Sequence, residues 1–179
     1  YKRQDVNSRE ESYAARMLTK SLQERGYVIN ANSGDYSIKF LIDKRRYDAE
    51  AFAIIPEGNV IKIIGGDYRG LIYGALSLSE DLRNEILLDN AVARSEKPKL
   101  MLRAVKYDLP WDTYRHSEAL NLHDETCRDP KYWEAFLDMM AENRLNALSL
   151  WNLHPYPFMI IPKNYPEAVS YTHLTLPTT

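Results

Sequence analysis

Apolar residues recur at helical spacing in two segments of the first half of the chain. Between residues 8 and 26 the apolar stripe is made of Ala14, Met17, Leu18 and Leu22. Ser8 and Glu11 have the spacing of a capping box, and Gly26 supplies a stop. Between residues 67 and 84 the stripe is Leu71, Ala75, Leu78 and Leu82, with Asp67 as N-cap. The pattern predicts two amphipathic helices.

Alternating or short apolar runs lie between these helices. Residues 36–43 alternate around Ile38, Phe40 and Ile42, and residues 27–30 read as a short strand. Residues 51–66 read as two strands joined by the turn sequence Pro-Glu-Gly-Asn. We therefore expect residues 1–89 to form an α+β domain in which two helices cover a mostly antiparallel sheet.

The second half has a different order of elements. Residues 90–99 are polar and predict a linker, and residues 100–109 predict a strand. Residues 129–144 predict a helix that Asp129 caps and Pro130 begins, followed by a strand at 145–151. A strand, a helix and a strand over this distance form a βαβ unit with a parallel pair.

A parallel sheet needs cover on both faces, and two strands cannot provide it. We therefore expect residues 100–168 to be the opening of a larger, incomplete α/β domain. Residues 169–179 resemble the translation of a transposon-end adaptor used in DNA library preparation, so we exclude them from the fold. The chain starts at Tyr1 rather than at Met, and we expect its natural start to lie upstream.

Composition narrows the function classes. The chain of 179 residues has a net charge of −2, with 45% hydrophobic and 27% charged residues. This balance is typical of a globular protein and gives no reason to expect a nucleic-acid partner. Cys127 is the only cysteine, which excludes an internal disulfide and a cysteine-built zinc site. No apolar run approaches the roughly 20 residues of a membrane span.

Candidate chemistry lies where the two strands of the second unit end. Function gathers at the C-terminal ends of strands in parallel α/β folds. The first of these positions is the stretch from Asp108 to Trp111, and the second contains Trp151, Asn152, His154 and Tyr156. An aromatic face can stack on a sugar while amide and imidazole groups bond its hydroxyls. The alternative is a strand end with a partly buried Trp and a solvated His.

Other candidates have simpler explanations. The long stretch 110–128 favours a binding or lid loop, but its His116, His123, Asp124, Glu125 and Cys127 match no standard metal-ligand spacing. A solvated loop explains these side chains better than a metal or a catalytic cysteine. The glycines of 65–74 do not follow a nucleotide-binding order, so close packing of Gly70 and Gly74 is the preferred interpretation.

Several segments together resemble a known arrangement. Residues 60–82, with Gly70, Leu71, Tyr73 and Gly74, are similar to the end of the small α+β domain in family 20 β-N-acetylhexosaminidases and family 67 α-glucuronidases. "LMLRAVKYD" resembles the first barrel strand of the hexosaminidases, in which an Arg is followed five residues later by an Asp. Residues 132–154 resemble the first barrel helix and second barrel strand in both families.

The resemblance implies a glycoside hydrolase with an accessory α+β domain followed by the first β/α unit of a truncated (β/α)8 barrel. It implies a carbohydrate substrate, no cofactor and no metal, and a periplasmic or secreted full-length protein. Arg103 would be a substrate ligand together with Trp151, Asn152 and His154. The catalytic carboxylates would come from later strands, so the chain by itself would be inactive. The alternative is a non-catalytic carbohydrate-binding or structural module, and the sugar and the oligomeric state stay open.

Overall fold

A computed structural model describes residues 9–30, 34–109, 118–151 and 163–164. The chain divides into two compact units, the first ending at Met101 and the second beginning at Leu102. Ser8, the predicted capping residue, and the predicted adaptor segment 169–179 lie outside the described residues. None of the helices in the described ranges has the length and apolar character needed to cross a membrane.

The first unit contains two long helices, four strands and a short 3-10 turn. The helices and the turn are α1 (Arg9–Glu24), α2 (Tyr68–Arg83) and the 3-10 turn (Leu88–Asn90). The strands are β1 (Ser37–Ile42), β2 (Phe52–Glu57), β3 (Val60–Gly65) and β4 (Arg94–Glu96). Both predicted helices are confirmed, and Asp67 caps α2 by accepting a hydrogen bond from the Gly70 backbone N–H at 2.8 Å.

The four strands form one mixed sheet in the order β1-β3-β2-β4. β2 is antiparallel to both β3 and β4, whereas β1 is parallel to β3. Two of the three pairings are antiparallel, as the prediction of a mostly antiparallel sheet requires, and the pairing of the edge strand β1 is parallel. β1 lies beside β3, the second strand of the β2–β3 hairpin, and runs in the same direction as β3.

The core lies between this sheet and the two helices. The register places Phe52, Ile54, Ile61 and Ile63 on one face of the sheet, and all four side chains are buried. They pack against the predicted helical stripes, which are buried as expected at Ala14, Leu18, Leu22, Leu71, Ala75, Leu78 and Leu82. One continuous apolar cluster therefore holds the first unit together.

Two segments differ from their expected structure. Residues 27–30 do not form the predicted strand, because the Tyr27 N–H donates to the Leu22 carbonyl and completes the end of α1, and Val28 is 92% exposed. Within 90–99, predicted as a linker, β4 pairs with β2. The three residues of β4 are all polar, so they carry no apolar pattern that would reveal such a strand.

The glycines of α2 are explained by close contacts. A Cβ atom on Gly70 would lie 2.1 Å from the carbonyl oxygen of Ala51, and one on Gly74 would lie 2.6 Å from Cγ2 of Ile63. The Asp67 carboxylate accepts from the Gly70 N–H at the start of α2 and also from the Glu50 N–H at 3.0 Å. These contacts agree with the packing interpretation of Gly70 and Gly74.

A helix of the second unit, α4, spans Pro130–Glu142. It ends in the same way as α1 and α2. Each has a residue with positive φ just beyond its end: Gly26 at 83°, Glu85 at 67° and Arg144 at 57°. At each end the N–H of this residue and the N–H of the residue after it donate to carbonyls of the last turn, which is the pattern of a Schellman motif. Glycine adopts this conformation without steric cost, whereas Glu85 and Arg144 do not.

The second unit begins with a parallel strand pair. β5 (Ala104–Asp108) and β6 (Ala147–Trp151) run parallel and are joined through α3 (Glu118–Arg128) and α4. The predicted βαβ order, the Asp129 cap and Pro130 at the start of α4 are confirmed. The predicted long loop is shorter than expected, because residues 118–128 form α3.

Replacing Gly70 with Ala tests the contact between α2 and the Ala51 backbone. Helix propensity alone favours Ala by about 1 kcal/mol. Overpacking against a backbone carbonyl costs more, so we expect Gly70→Ala to lower the free energy of unfolding by about 2 kcal/mol. Urea denaturation measures this. Gly34→Ala is the control, since its nearest contact is an ordinary 3.5 Å. A stabilised Gly70→Ala protein would contradict the packing account.

Replacing Glu85 tests the strain at the end of α2. We expect Glu85→Gly to be more stable than Glu85→Ala by about 0.5–1 kcal/mol, because only glycine relieves the left-handed backbone. The alanine variant removes the same carboxylate but keeps Cβ, so it separates backbone strain from lost charge. Thermal melts of both variants give the comparison, and equal melting temperatures would show that no strain is stored there.

Candidate functional site

The carboxyl ends of the two parallel strands form one edge of the second unit. The register pairs Ala104 with Ala147 at one end and Asp108 with Trp151 at the other. Asp108 and Trp151 are therefore neighbours at the edge where parallel α/β folds place their ligands. The backbone of Trp151 is described, whereas the predicted ligands Asn152 and His154 lie outside the described residues.

The strand pair has two chemically different faces. Because side chains alternate along a strand, Val105 and Tyr107 share one face with their partners Leu148 and Leu150. Tyr107 on this face packs against aromatic residues of α4. The opposite face carries the alternate positions, and Ala104, Lys106, Asp108 and Ser149 on it are all exposed.

The exposed face carries an ion pair at its carboxyl end. Nζ of Lys106 lies 3.0 Å from Oδ1 of Asp108. The two residues are two positions apart on one strand, so both side chains lie on the same face. Their side chains are 50% and 72% exposed. The edge therefore offers an ammonium and a carboxylate side by side, next to the backbone position of Trp151.

Behind the edge, three aromatic rings of α4 pack against the phenol of Tyr107. The Tyr107 ring centroid lies 5.1 Å from Trp133 and 5.3 Å from Phe136, the latter edge to face. The Tyr132 hydroxyl donates to the Tyr107 hydroxyl at 2.9 Å. Aromatic contacts of this geometry add to the stabilisation from burial. The cluster fixes the end of β5 onto α4.

The Tyr107 phenol is held in its neutral form. Burial, followed by hydrogen bonds with Cys127 and Tyr132, raises its pKa well above the ordinary tyrosine value. The Tyr107 oxygen lies 3.4 Å from the Cys127 sulfur. A phenol that keeps its proton cannot act as a base near neutral pH, so Tyr107 serves to anchor the edge.

His123 attaches α3 to the same strand end. Its Nε2 lies 3.0 Å from the Asp108 backbone carbonyl oxygen. Its ring stacks on Tyr107 with the centroids 5.6 Å apart. Trp133 also donates from its indole N–H to the Cys127 carbonyl at 2.7 Å, which ties the end of α3 to α4. These bonds fix the backbone on which the Asp108 carboxylate is mounted.

Arg103 lies at the opposite end of β5. Its Nε donates to the Arg144 carbonyl at 2.6 Å, and its backbone N–H donates to Oδ1 of Asn146 at 2.9 Å. Five residues along a strand separate it from Asp108, a distance of about 17 Å. The described structure thus brings Asp108 and Trp151 together but does not bring Arg103 to them.

The alternatives for the stretch 110–128 find no geometric support among the described residues. No three His, Cys, Asp or Glu side chains within them converge where a metal ion could be held. His116 lies outside the described residues. Cys127 has the Tyr107 hydroxyl as its described partner, and the His123 ring nitrogen contacts a backbone carbonyl instead.

Two features of the edge were not predicted from the sequence: the place of Lys106 in it and the contact of His123 with the Asp108 carbonyl. Lys106 has a detectable signal, since the period of two along β5 places it on the same face as Asp108. The role of His123 has no such signal, because its partner, the Asp108 carbonyl, belongs to a distant strand.

A double-mutant cycle tests the Tyr107–Tyr132 hydrogen bond. We expect Tyr107→Phe and Tyr132→Phe each to destabilise the chain, and the double variant to show a coupling free energy of about 1 kcal/mol. Urea denaturation of the four proteins measures the coupling. Tyr68→Phe is the matched control, since Tyr68 is 39% exposed on α2 and should not couple to Tyr107. Additive effects at Tyr107 and Tyr132 would contradict the anchoring role.

Comparison with known proteins gives a similarity to a solved structure. No family model matches the chain, and no curated protein matches it. A solved structure, described as a GH138 enzyme targeting pectin rhamnogalacturonan II, superimposes with a TM-score of 0.73 and 28% sequence identity. The match covers 90% of this chain and 25% of that enzyme.

The similarity supports the expected relation to glycoside hydrolases but not the two families that the sequence suggested. The chain spans about a quarter of the GH138 enzyme, and the hexosaminidase and α-glucuronidase families suggested by the sequence are not confirmed. Both units of the chain fall within a match of this extent. The chain resembles part of a glycoside hydrolase.

Proposed function

We propose that this chain is the N-terminal portion of a glycoside hydrolase that cleaves glycosidic bonds in a complex pectic glycan. The observation that carries the proposal is the pairing of Asp108 with Trp151 at the carboxyl edge of β5 and β6. The similarity to a GH138 enzyme that targets pectin rhamnogalacturonan II supports the reaction class and the type of glycan.

The second unit, residues 100–168, would be the start of a (β/α)8 barrel. Parallel strands are normally covered on both faces, and here α4 covers the face of Tyr107. Leu150 on that same face is still 43% exposed, as expected if a further helix packs beside α4. The opposite face, with Lys106 and Asp108, would then point into the barrel, and substrate would bind at the carboxyl ends of the strands, where Asp108 lies.

The edge has the chemistry that sugar binding requires. An indole stacks on the C–H face of a pyranose, and a carboxylate accepts hydrogen bonds from its hydroxyls. Trp151 would provide the stacking surface, with Asn152 and His154 as further ligands. Arg103 bonds the Arg144 carbonyl at the opposite end of β5, so we propose it as a sugar ligand with less support than the other three residues.

Hydrolysis requires more than this edge contains. Glycosidases generally use two carboxyl groups flanking the scissile bond. The described strand ends carry one, Asp108, and it is paired with Lys106. We propose that the catalytic pair belongs to later strands and that the chain alone binds glycan without cleaving it. A periplasmic or secreted location and activity without a cofactor are part of the same proposal.

The second candidate is a carbohydrate-binding module that never cleaves its ligand. The Lys106–Asp108 pair favours it, since a carboxylate neutralised by an ammonium suits hydroxyl recognition better than proton transfer. The two candidates separate on one test: a protein from the extended reading frame either releases sugar from rhamnogalacturonan II or only binds it.

Binding by the 179-residue chain tests the site itself. We expect rhamnogalacturonan II oligosaccharides to bind at millimolar concentrations in an NMR titration. Trp151→Ala should weaken binding about fivefold, because it removes an aromatic contact of about 1 kcal/mol. Tyr68→Ala on α2 is the control and should bind like the original protein. Equal binding by the Trp151→Ala variant would remove Trp151 from the site.

A further inference from the structure

The Lys106–Asp108 pair presents one donor group and one acceptor group at hydrogen-bonding distance from each other. Nζ and Oδ1 are 3.0 Å apart, and both side chains reach solvent on the face opposite α4. An ammonium donates hydrogen bonds and cannot accept them, whereas a carboxylate only accepts. The donor, Lys106, therefore lies in the middle of β5, and the acceptor, Asp108, lies at the carboxyl end of the strand.

Two hydroxyls on adjacent ring carbons of a sugar match this arrangement. Each hydroxyl can donate one hydrogen bond and accept others. Neighbouring hydroxyl oxygens in a gauche arrangement are separated by a distance close to that between Nζ and Oδ1. One hydroxyl can then donate to Asp108 while its neighbour accepts from Lys106, so both contacts are hydrogen bonds to charged groups, the stronger kind.

The pair is fixed in position before a ligand arrives. His123 contacts the Asp108 carbonyl at 3.0 Å, and Tyr107 between the two residues is enclosed by aromatic rings. The backbone that positions both side chains is therefore held before binding, which favours affinity.

The charge of the pair argues against an acidic group as its ligand. Lys106 alone would attract the carboxylate of an acidic sugar, but the Asp108 carboxylate at 3.0 Å would repel it. A hydroxyl pair meets no such repulsion.

We infer that Lys106 and Asp108 are specificity-determining residues that together bind a vicinal diol of the glycan, and not its carboxylate. This inference rests on the proposed function. Ser149, the register partner of Lys106, lies on the same face and offers a hydroxyl beside the diol. Trp151, the register partner of Asp108, lies at the level of the strand where the ring of the bound sugar would stack.

Three methyl glycosides separate the diol from the carboxylate. Methyl α-D-galactopyranoside and the corresponding galacturonide share their ring hydroxyls and differ only in the acidic group. The 3-deoxy galactoside lacks the hydroxyl that both ring diols require. Dissociation constants for the 179-residue chain are measured by NMR titration for the original protein and for Lys106→Met, Asp108→Asn and the control Lys131→Met. Melting temperatures check that each variant is folded.

We expect Lys106→Met and Asp108→Asn each to weaken binding of the galactoside about tenfold. Lys106→Met should weaken the galacturonide at least as much, because Asp108 then faces the acidic group without its ammonium partner, and Asp108→Asn should weaken it less. The 3-deoxy galactoside should bind the original protein about tenfold more weakly, and one of the two variants should add little to that loss, because the missing hydroxyl is the partner of one of the two side chains. Lys131→Met, on the exposed side of α4, should bind all three glycosides like the original protein.

Two results would overturn the inference while leaving the proposed function intact. In one, Lys106→Met weakens only the galacturonide, which would make Lys106 a carboxylate site. In the other, rhamnogalacturonan II oligosaccharides bind and neither variant changes their affinity or that of the glycosides, which would make the pair a surface ion pair. A chain that binds neither the oligosaccharides nor any glycoside would overturn the proposed function together with the inference.

Discussion

The parallel register of β5 and β6 is the constraint on which the candidate site depends. It pairs Asp108 with Trp151 and Lys106 with Ser149, and so decides which side chains share a face. A shift by one residue would turn Lys106 and Asp108 towards α4 and bring Tyr107 to the open face. The large aromatic cluster around Tyr107 makes that shift costly, because four packed rings would have to leave their neighbours.

The two faces of the β5–β6 sheet therefore differ in their chemistry and in their contacts. The face towards α4 is apolar and closed by hydrogen bonds among Tyr107, Tyr132 and Cys127, and it supplies rigidity. The other face is polar and open, and it supplies the groups that can meet a ligand. His123 links the two, since it stacks on Tyr107 and contacts the carbonyl of Asp108. An edge built in this way suits a rigid, polar ligand such as a sugar.

Sequence patterns predicted the elements that depend on local chemistry. The apolar stripes and the Asp67 and Asp129 caps fixed both long helices of the first unit and α4, because caps and stripes act within a few residues. The βαβ order predicted the parallel pair. Patterns failed where a distant partner decides the structure, as for β1 beside β3 and the short strand β4. They also missed α3, which was interpreted as part of a long loop.

The position of the candidate site could be predicted from the sequence, but the set of residues that form it could not. Asp108 and the end of the second strand were recognised because parallel strands place ligands at their carboxyl ends. Arg103 was grouped with them by resemblance, and the structure locates it at the other end of β5. Lys106 went unnoticed, although the alternation of side chains along one strand is enough to place it beside Asp108.

A crystal structure of the protein from the extended reading frame, soaked with a rhamnogalacturonan II oligosaccharide, tests the central claim most directly. The account predicts further β/α units that close a barrel around the face of Lys106 and Asp108, with a sugar ring at their carboxyl edge. A helix packed onto that face, as in a doubly wound sheet, would bury the pair away from any glycan and contradict the account.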